Sequence, residues 1–591
     1  MIHRPFHRPF WLRPRLPALA ALAAMFALSL STVVGAATST PSTPPAKATP
    51  AQARPNILLI VADDLGFSDI GAFGGEIDTP NLDALAREGL RLTDFHSAAT
   101  CSPTRSMLLS GVDHHVAGIG SMAELTVEEQ KGKPGYEGYL NDRVVPFPQL
   151  LQQAGYHTYM AGKWHLGLTD ERSPTARGFE KSFALLRGAD DHVAQPWNTR
   201  VDPAQPWYRE DGKLTTVPAN FYSSDFYAEK LVSYLKAGQG DGKPFFAYLT
   251  FTAPHWPLQA PAEDIAKYAK RYEAGYDPIR SARLQRQREL GILPKDFQPA
   301  KGLTVFPRWS QLSAAQQKQE ARRMAIYAAM VDRMDQNIGK VVRQLKESGQ
   351  YDNTLIIFIS DNGAEGVNVA DRASVIPRDN SLDNLGKASS YAAYGPNWAQ
   401  ISALPFSAFK GFSQEGGTTV PTIVRWPASR GQAGQVSAVP GHVTDIAPTL
   451  LQLAGASYPN QVQGRDVAPL QGRSLLPVLS GQQTERGERF DKGWELFGRK
   501  AYRQGDWKIV YGIAPFGNGA WQLYNLRTDR AEQVDLAAQH PEKLAELQAG
   551  YAAYVHRNGV QEVPRLAERI AERYSSGGYF EALKAADRAA P

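Results

Sequence analysis

The chain of 591 residues is long enough for a large hydrophobic core, since 43% of its residues are hydrophobic and 10% are aromatic. Its formal net charge is +5 at pH 7, and Arg4, Arg8, Arg13 and Arg15 at the N-terminus carry four of these charges. Subtracting these four leaves +1, and a chain so close to neutral is not expected to have nucleic acid as its main partner.

The N-terminus has the three parts of an export signal. The four arginines precede an apolar run over residues 16–34, and the small residues 34–36 follow it. We therefore predict a signal peptide over 1–36 and a periplasmic or secreted protein, with no membrane attachment once the signal is cleaved. Because the apolar run is long, an uncleaved anchor is the alternative. Residues 37–55, rich in Pro, Thr, Ser and Ala, are predicted to be a disordered linker.

Short apolar runs alternate with helical patterns along the next 400 residues. Runs rich in Ile, Leu, Val and Phe are typical of strands buried on both faces. Their alternation with helices predicts an α/β sandwich around a mainly parallel sheet. The predicted strands are 56–62, 156–161, 245–252, 354–360 and 419–426, and the predicted helices are 81–89, 147–155, 226–237 and 321–348.

The pattern changes twice outside this alternation. The polar stretch 262–319 is predicted to be an insertion near the substrate entrance, although a solvated face would have the same composition. After residue 480, two strand patterns (500–512 and 521–526) and an amphipathic helix (532–555) follow. We predict a catalytic domain over 56–480 and a small α+β domain over 481–591.

Acidic and amide side chains follow two of the predicted strands. Asp63 and Asp64 come after the first strand, and Asp361 and Asn362 after the strand 354–360. Ligand sites of parallel sheets form at the carboxyl ends of the strands, and an all-oxygen set suits Ca²⁺ or Mg²⁺ better than Zn²⁺. Such residues are also ordinary turn formers. They predict a metal site in combination with the cysteine described below.

Basic side chains follow two further strands. Lys163 and His165 come after the strand 156–161, and His255 comes after 245–252. A position just beyond a buried strand favours a functional role for these side chains. His442 lacks this setting and is predicted to be structural, and so are His114 and His115.

Cys101 is the only cysteine of the chain, so it cannot form an internal disulfide. It begins the segment Cys101-Ser102-Pro103-Thr104-Arg105, in which Arg105 should lie one helical turn further along on the same face. A guanidinium in that position favours anionic oxygens. The pattern Cys-x-Pro-x-Arg is the one that sulfatases present for oxidation of cysteine to formylglycine.

Several motifs together resemble the type I, formylglycine-dependent sulfatases, and most closely the bacterial arylsulfatases. They are the cysteine motif, Asp63-Asp64, Gly162-Lys163-Trp164-His165, Pro254-His255 and Asp361-Asn362-Gly363. The resemblance implies an alkaline-phosphatase-like fold and conversion of Cys101 to 3-oxoalanine by a formylglycine-generating enzyme. It also implies one Ca²⁺ held by the modified Cys101, Asp63, Asp64, Asp361 and Asn362. Lys410 by itself is typical of a solvated surface residue, and it is assigned to the active site on this resemblance alone.

The activity that the resemblance implies is hydrolysis of sulfate monoesters, in particular aryl sulfates. The metal, Arg105, Lys163 and Lys410 would neutralise the sulfate. Asp361 would activate one hydroxyl of the hydrated aldehyde. His255, assisted by Lys410, would protonate the leaving oxygen, and His165 would take the proton of the second hydroxyl.

Two other functions stay open at the level of the sequence. A phosphonate monoester or phosphodiester hydrolase can use the same nucleophile, and an unmatured Ca²⁺-binding envelope protein would keep the same metal ligands. The tryptophans could line an aryl pocket or pack in cores; those singled out are Trp164, Trp197, Trp207 and Trp256. The sequence does not identify the natural ester, the oligomeric state or the maturation system.

Overall fold

The computed structural model describes residues 54–574, except positions 197, 200–206, 368–377, 430, 484–489 and 515–516. The predicted signal peptide, most of the predicted linker and Trp197 lie outside the described residues. Among the described helices, none combines the length and the apolar character that a membrane crossing requires.

The strands of the described chain are numbered in sequence order. They are β1 (Asn56–Ala62), β2 (Leu90–Leu92), β3 (Phe95–His96), β4 (His157–Lys163), β5 (Lys181–Leu185), β6 (Tyr208–Glu210), β7 (Lys213–Thr215), β8 (Phe245–Thr250), β9 (Thr354–Ser360), β10 (Thr422–Arg425), β11 (Val436–Ser437), β12 (Gly441–His442), β13 (Gln461–Val462), β14 (Arg465–Asp466), β15 (Asp491–Leu496), β16 (Arg499–Gln504), β17 (Trp507–Tyr511) and β18 (Trp521–Asn525).

The α-helices are numbered in the same way. They are α1 (Pro80–Glu88), α2 (Cys101–Ser110), α3 (Phe147–Gln153), α4 (Ser223–Ala237), α5 (Ala262–Tyr268), α6 (Tyr276–Glu289), α7 (Ala314–Glu347), α8 (Gly395–Ser402), α9 (Glu415–Thr418), α10 (Ile446–Ala454), α11 (Leu476–Leu479), α12 (Pro541–Asn558) and α13 (Leu566–Tyr574).

The large sheet has ten strands in the order β11-β2-β10-β9-β1-β8-β4-β5-β6-β7. Its centre, from β9 to β5, is parallel, whereas β10 on one side and β6 on the other pair antiparallel. In the register of β1 and β9, Ala62 lies opposite Ser360. The residues that follow these two strands therefore leave the sheet at the same edge.

Helices cover both faces of this sheet, as the alternating sequence pattern predicts. Alternate residues of β1 point to opposite sides, so that Leu58 and Ile60 pack in one buried cluster and Leu59 and Val61 in the other. The first cluster includes side chains of α4 and α7, and the second includes side chains of α2, α3 and α10. The predicted α/β sandwich with a mainly parallel sheet is thus confirmed.

The C-terminal part forms a separate antiparallel sheet, β15-β16-β17-β18, against which α12 packs. A small C-terminal sheet with a helix is the predicted α+β arrangement, whereas the predicted boundary at residue 480 stays a prediction. The predicted strand 500–512 is wrong in detail, because Gly505 (φ 59°) turns the chain and divides it into β16 and β17. The predicted helix 532–555 begins later, at Pro541.

Candidate active site

The carboxylates that follow β1 and β9 meet at one edge of the sheet. The backbone N–H of Asp64 donates to Oδ1 of Asp361 at 3.3 Å, and Nδ2 of Asn362 donates to Oδ1 of Asp64 at 2.7 Å. Asp63, Asp64, Asp361 and Asn362 are all fully buried. Asp64 has a positive φ of 68°, an unusual backbone conformation for an aspartate that the surrounding contacts must hold.

Cys101 begins helix α2 and faces these carboxylates. Its Sγ lies 3.3 Å from Oδ1 of Asp63 and 3.8 Å from Oδ1 of Asp64, and the residue is 1% exposed. Burial, together with the charges of Asp361 and Asp63, raises the pKa of the thiol well above its ordinary value. An unmodified Cys101 is therefore protonated and a poor nucleophile at neutral pH.

Arg105 lies one turn beyond Cys101 on α2, as predicted. Its Nε donates to Oδ2 of Asp361 at 2.9 Å, and its Nη1 donates to the carbonyl oxygen of Lys163 at 3.0 Å and to the hydroxyl of Thr250. Through these contacts, the guanidinium fixes the orientation of the Asp361 carboxylate. They leave Oδ1 as the carboxylate atom of Asp361 that Arg105 does not hold.

Two buried lysines neutralise the paired aspartates. Lys163 Nζ donates to Oδ2 of Asp63 at 2.7 Å. Lys410 Nζ lies 2.8 Å from Oδ1 of Asp64 and 2.9 Å from Oε2 of Glu365. The tertiary structure thus brings Lys410 into the cluster, where its sequence neighbours alone did not predict it.

The two predicted catalytic histidines lie beside the same cluster. His255 Nδ1 donates to the carbonyl oxygen of Trp256 at 2.6 Å, and its Nε2 lies 3.5 Å from Oδ2 of Asp64. Burial, with the charges of Lys410 and Lys163, lowers the pKa of His255 well below its ordinary value. His165 Nε2 lies 3.3 Å from Oε1 of Glu124. Nδ1 of His165 is buried and has no hydrogen-bond partner among the described residues.

The cluster has the chemistry of a divalent-cation site. Donor atoms of Asp63, Asp64, Cys101 and His255 all lie within 4.8 Å of one another. Oδ1 of Asn362 is buried without a hydrogen-bond partner in the described chain, an arrangement that a cation would satisfy. Burial, followed by the charges of the neighbouring carboxylates, raises the pKa of Asp64 to about 8, although Lys410 opposes this shift.

The predicted ligand set and this cluster overlap but are not identical. Asp63, Asp64 and Cys101 are common to both, whereas Asp361 is held by Arg105 and by the Asp64 N–H. His255 was not predicted as a ligand, and its proximity fits its predicted role beside the reacting ester. The residues present fit a hard cation such as Ca²⁺, because the aspartates and Asn362 offer oxygen donors.

In a second group of acidic and histidine side chains, arginine and lysine side chains compensate the negative charges. Asp94, His96 and Glu415 also lie within 4.8 Å of one another. However, Arg503 donates to both oxygens of Asp94 at 3.0 Å, and Lys508 donates to Glu415 at 2.9 Å. Their charges are thus compensated by side chains of β16 and β17, and this cluster connects the C-terminal sheet to β3, α9 and the residue before β3.

Comparison with known proteins assigns the family. The sulfatase family model matches residues 55–456. An uncharacterized sulfatase of Schizosaccharomyces pombe is 46% identical over 530 residues, which cover 86% of this chain and 95% of that protein. An arylsulfatase of Klebsiella aerogenes is 39% identical over 442 residues, which cover 74% of this chain and 94% of that protein. The chain belongs to the sulfatase family.

A solved structure supports the same assignment. The crystal structure of Ps i-CgsB in complex with k-i-k-neocarrahexaose superposes with a TM-score of 0.62 at 26% identity, covering 90% of this chain and 99% of that chain. The alkaline-phosphatase-like fold of the sulfatases, with a small C-terminal antiparallel sheet, is therefore confirmed. With an arylsulfatase at 39% identity, the protein is a sulfuric ester hydrolase.

Several of the site residues border a cavity of about 950 Å³. Cys101, His165, His255 and Lys410 line it together with a wall of aromatic side chains, namely Tyr139, Trp256, Tyr391, Phe409, Phe412 and Phe497. Of the predicted tryptophans, Trp256 lines the cavity, whereas Trp164 is buried and donates to the carbonyl oxygen of Arg172. Trp207 lies beneath Arg187, whose guanidinium is 3.6 Å from the ring centroid.

Parts of this cavity were not predicted from the sequence. Phe497, Arg499 and Ile570 of the C-terminal part contribute to its wall. Conversely, none of the described residues of 262–319 lines this cavity, and the predicted placement of that stretch near the entrance stays a prediction. It forms α5, α6 and the start of α7, where Arg283 pairs with Asp69 at 2.6 Å. Glu365, the partner of Lys410, was also missed, and its only signal is its position four residues after Asp361.

Proposed function

We propose that this sulfatase hydrolyses aryl sulfate esters with a formylglycine at position 101 and one Ca²⁺ bound beside it. The observation that carries the proposal is the position of Cys101. The only cysteine begins a helix, lies 3.3 Å from a buried aspartate and lines a cavity that aromatic rings also line. The arylsulfatase at 39% identity supports the choice of aryl sulfates over other esters.

Formylglycine would supply chemistry that the thiol does not. In its hydrated form, the aldehyde would offer one hydroxyl as a nucleophile and a second whose deprotonation would allow the sulfate to leave. The buried thiol itself is disfavoured as a thiolate, since its pKa is raised by burial and by the aspartates around it. A formylglycine-generating enzyme is therefore the maturation partner that the proposal requires.

The calcium ligands would be Asp63, Asp64, Asp361, Asn362 and the modified residue 101. When bound, the ion would supply positive charge to the ester sulfate and to the buried aspartates. The amide of Asn362 would present Oδ1, the atom that has no hydrogen-bond partner within the described chain. The raised pKa of Asp64 is a further sign that the lysines and Arg105 alone do not offset these carboxylates.

The lysines would bind the sulfate, and Arg105 would orient the base. Lys163 and Lys410 lie on either side of the paired aspartates and are the cations closest to them. Arg105 holds Oδ2 of Asp361, so Oδ1 is the atom that would accept the proton of the attacking hydroxyl.

The two histidines would transfer the remaining protons. Nε2 of His255 would protonate the leaving oxygen, assisted by Lys410, while Nδ1 of His255 donates to the Trp256 carbonyl oxygen. The pKa of His255 is lowered partly by Lys410 and Lys163, and a bound sulfate would offset these cations and favour the protonated ring. His165, whose Nδ1 has no hydrogen-bond partner in the described chain, would accept the proton of the second hydroxyl.

Two alternatives use the same cluster. A phosphonate monoester or phosphodiester hydrolase would present the same cations to a similarly shaped anion. An unmatured Ca²⁺-binding envelope protein would retain the thiol. The sulfatase family and the arylsulfatase relative favour sulfate ester hydrolysis over both.

The first experiment is mass spectrometry of the peptide containing residue 101, from protein made in its native host. We expect the mass of formylglycine in place of cysteine, and hydrolysis of an aryl sulfate more efficient than that of an aryl phosphonate monoester. Unmodified cysteine in folded protein would remove the proposed mechanism. A preference for the phosphonate ester would support the second class of hydrolase.

The periplasmic or secreted location is a separate part of the proposal. It depends on the basic and apolar N-terminal pattern, which lies outside the described residues. N-terminal sequencing of the protein recovered from its host should find a start close to residue 37. A start at Met1 in membrane fractions would support the uncleaved anchor instead.

A further inference from the structure

His192 is a buried histidine that contacts the backbone of a proposed catalytic residue. It lies in the loop after β5 and is 1% exposed. Its Nε2 lies 2.9 Å from the carbonyl oxygen of His255. Because a carbonyl oxygen only accepts hydrogen bonds, Nε2 of His192 carries the hydrogen, and this contact sets the tautomer of the ring.

The other ring nitrogen of His192 is held by a helix. Nδ1 lies 2.7 Å from the hydroxyl of Ser223, the first residue of α4, and accepts its hydrogen. The backbone of His192 is fixed as well. Its N–H donates to Oε1 of Gln259 at 2.8 Å, and its carbonyl oxygen accepts from the Ser223 N–H at 2.8 Å. Every polar group of His192 therefore has a directed partner.

We propose that His192 is a positioning residue for His255. The chain of hydrogen bonds from Ser223 through the His192 ring to the His255 carbonyl oxygen connects α4 to the loop after β8. It fixes the peptide that carries the His255 ring. The inference rests on the proposed function, in which Nε2 of His255 protonates the leaving oxygen of the ester.

The orientation of the His255 ring depends on this backbone. Nδ1 of His255 donates to the carbonyl oxygen of the next residue, Trp256, at 2.6 Å. A rotation of the peptide at residue 255 would therefore move the whole ring and displace Nε2 from the ester. Proton transfer to a leaving group requires the donor within hydrogen-bond distance of the oxygen, so a small displacement lowers the rate of this step.

The test compares two esters that differ in their need for a proton. 4-Nitrophenyl sulfate releases a stable phenolate, whereas phenyl sulfate releases a more basic one that depends more on the acid. His192→Phe keeps a ring but removes the donor. We expect its kcat with phenyl sulfate to fall at least about tenfold more than its kcat with 4-nitrophenyl sulfate, with KM for both esters little changed. His255→Ala should show a larger difference of the same kind.

Three further variants separate positioning from folding. In His192→Gln, the amide can still donate to His255 and accept from Ser223, so most of the activity on phenyl sulfate should return. Ser223→Ala removes the closer partner of Nδ1 and leaves the Thr252 hydroxyl at 3.4 Å, so it should shift the ratio of the two rates in the same direction but by less. It keeps the test decisive if the His192→Phe protein does not fold. His442→Gln is the matched control. His442 is a buried histidine that accepts from the Thr444 N–H at 3.2 Å, and the ratio should not change.

The outcomes distinguish failure of the positioning role of His192 from failure of the proposed function. Equal losses on both esters in His192→Phe and Ser223→Ala, while His255→Ala discriminates between them, would overturn the positioning role alone. Equal losses in His255→Ala would remove the acid role, and the positioning role with it. If the matured wild-type enzyme hydrolyses neither ester, the proposed preference for aryl sulfates itself is wrong.

Discussion

At the scale of single residues, the site is built from ionisable groups whose burial would each be unfavourable in isolation. Cys101, Asp63, Asp64 and Asp361 are buried together, and burial raises the pKa of the Cys101 thiol and of the Asp64 carboxyl. Buried charges persist in proteins when they are paired or bind a metal ion. The same set of residues therefore accounts for the modified nucleophile and for the cation in the proposed mechanism.

Replacement of Cys101 by serine tests the need for two hydroxyls. The serine hydroxyl can attack the sulfate, but the resulting serine sulfate ester has no second hydroxyl whose deprotonation would expel the sulfate. We expect Cys101→Ser to release about one equivalent of phenol per enzyme and then stop, because covalent catalysis stalls at the first intermediate. A rapid-quench assay with 4-nitrophenyl sulfate measures this burst, and sustained turnover would contradict the formylglycine assignment.

The amide of Asn362 tests the calcium site independently of activity. Oδ1 of Asn362 has no hydrogen-bond partner among the described residues, so its removal should cost the cation a ligand. We expect Asn362→Ala to weaken Ca²⁺ binding by at least about tenfold, measured by calorimetry on protein stripped with chelator. Asn397→Ala, which alters a contact to the Pro307 carbonyl oxygen far along the chain, is the control. Equal affinities in the two variants would exclude Asn362 from the ligand set.

At the scale of elements, buried charges attach the C-terminal sheet to α9 of the catalytic part. Lys508 of β17 lies 2.9 Å from both Glu415 and Glu532, and none of the three side chains is more than 1% exposed. Although burial opposes the shift, Lys508 and His96 lower the pKa of Glu415 well below its ordinary value. One lysine thus compensates two carboxylates, and the attachment depends on it.

Removal of this lysine should be strongly destabilising. We expect Lys508→Met to lower the free energy of unfolding by about 3–5 kcal/mol, because it removes the cation beside Glu532 and leaves Glu415 with only His96 and Arg530. Lys500→Met is the matched control. Lys500 belongs to the neighbouring strand and pairs with the exposed Glu562, so its loss should cost less than about 1 kcal/mol. Urea unfolding followed by fluorescence measures both, and equal midpoints would contradict the role of Lys508.

At the scale of the whole molecule, a contact between the segment after α2 and the C-terminal sheet links stability to pH. His115 Nδ1 lies 2.9 Å from Oδ1 of Asp113, and its Nε2 lies 3.1 Å from Oε2 of Glu495 in β15. Although burial opposes the shift, these two carboxylates raise the pKa of His115 to about 9. The adjacent His114 ring, whose pKa burial lowers to about 4, lies against it at a tilt of 36° with a centroid distance of 4.0 Å.

The sign of the pH dependence follows from the raised pKa of His115. Its ionic contribution is fully present below the unfolded value near 6.5 and is lost as the pH rises toward 9. A pKa raised from 6.5 to about 9 corresponds to on the order of 3 kcal/mol. We expect the free energy of unfolding to fall over this window in the wild type and to stay flatter in His115→Gln. Parallel pH profiles of the two proteins, measured by urea unfolding, would contradict this account.

The sequence by itself determined the elements and the chemistry that are encoded locally. The apolar runs of β1, β8 and β9 identify strands buried on both faces because burial requires continuous hydrophobicity there. The residues that follow these strands identify the reactive edge, since parallel strands end together. The cysteine motif identifies the nucleophile, because one short segment carries its signal. The fold class and the family were therefore predicted before any contact was known.

Only the tertiary structure decided which distant segments meet. Lys410 reaches Asp64 across 346 positions, and Lys508 reaches Glu415 across 93. Neither lysine has a local pattern that distinguishes it from a solvated one. His192 and the contribution of Phe497 to the aromatic wall of the cavity were not predicted, for the same reason. Hydrophobic periodicity reports which face of an element is buried, but it does not report which partner covers that face, because pairing depends on the packing of the whole chain.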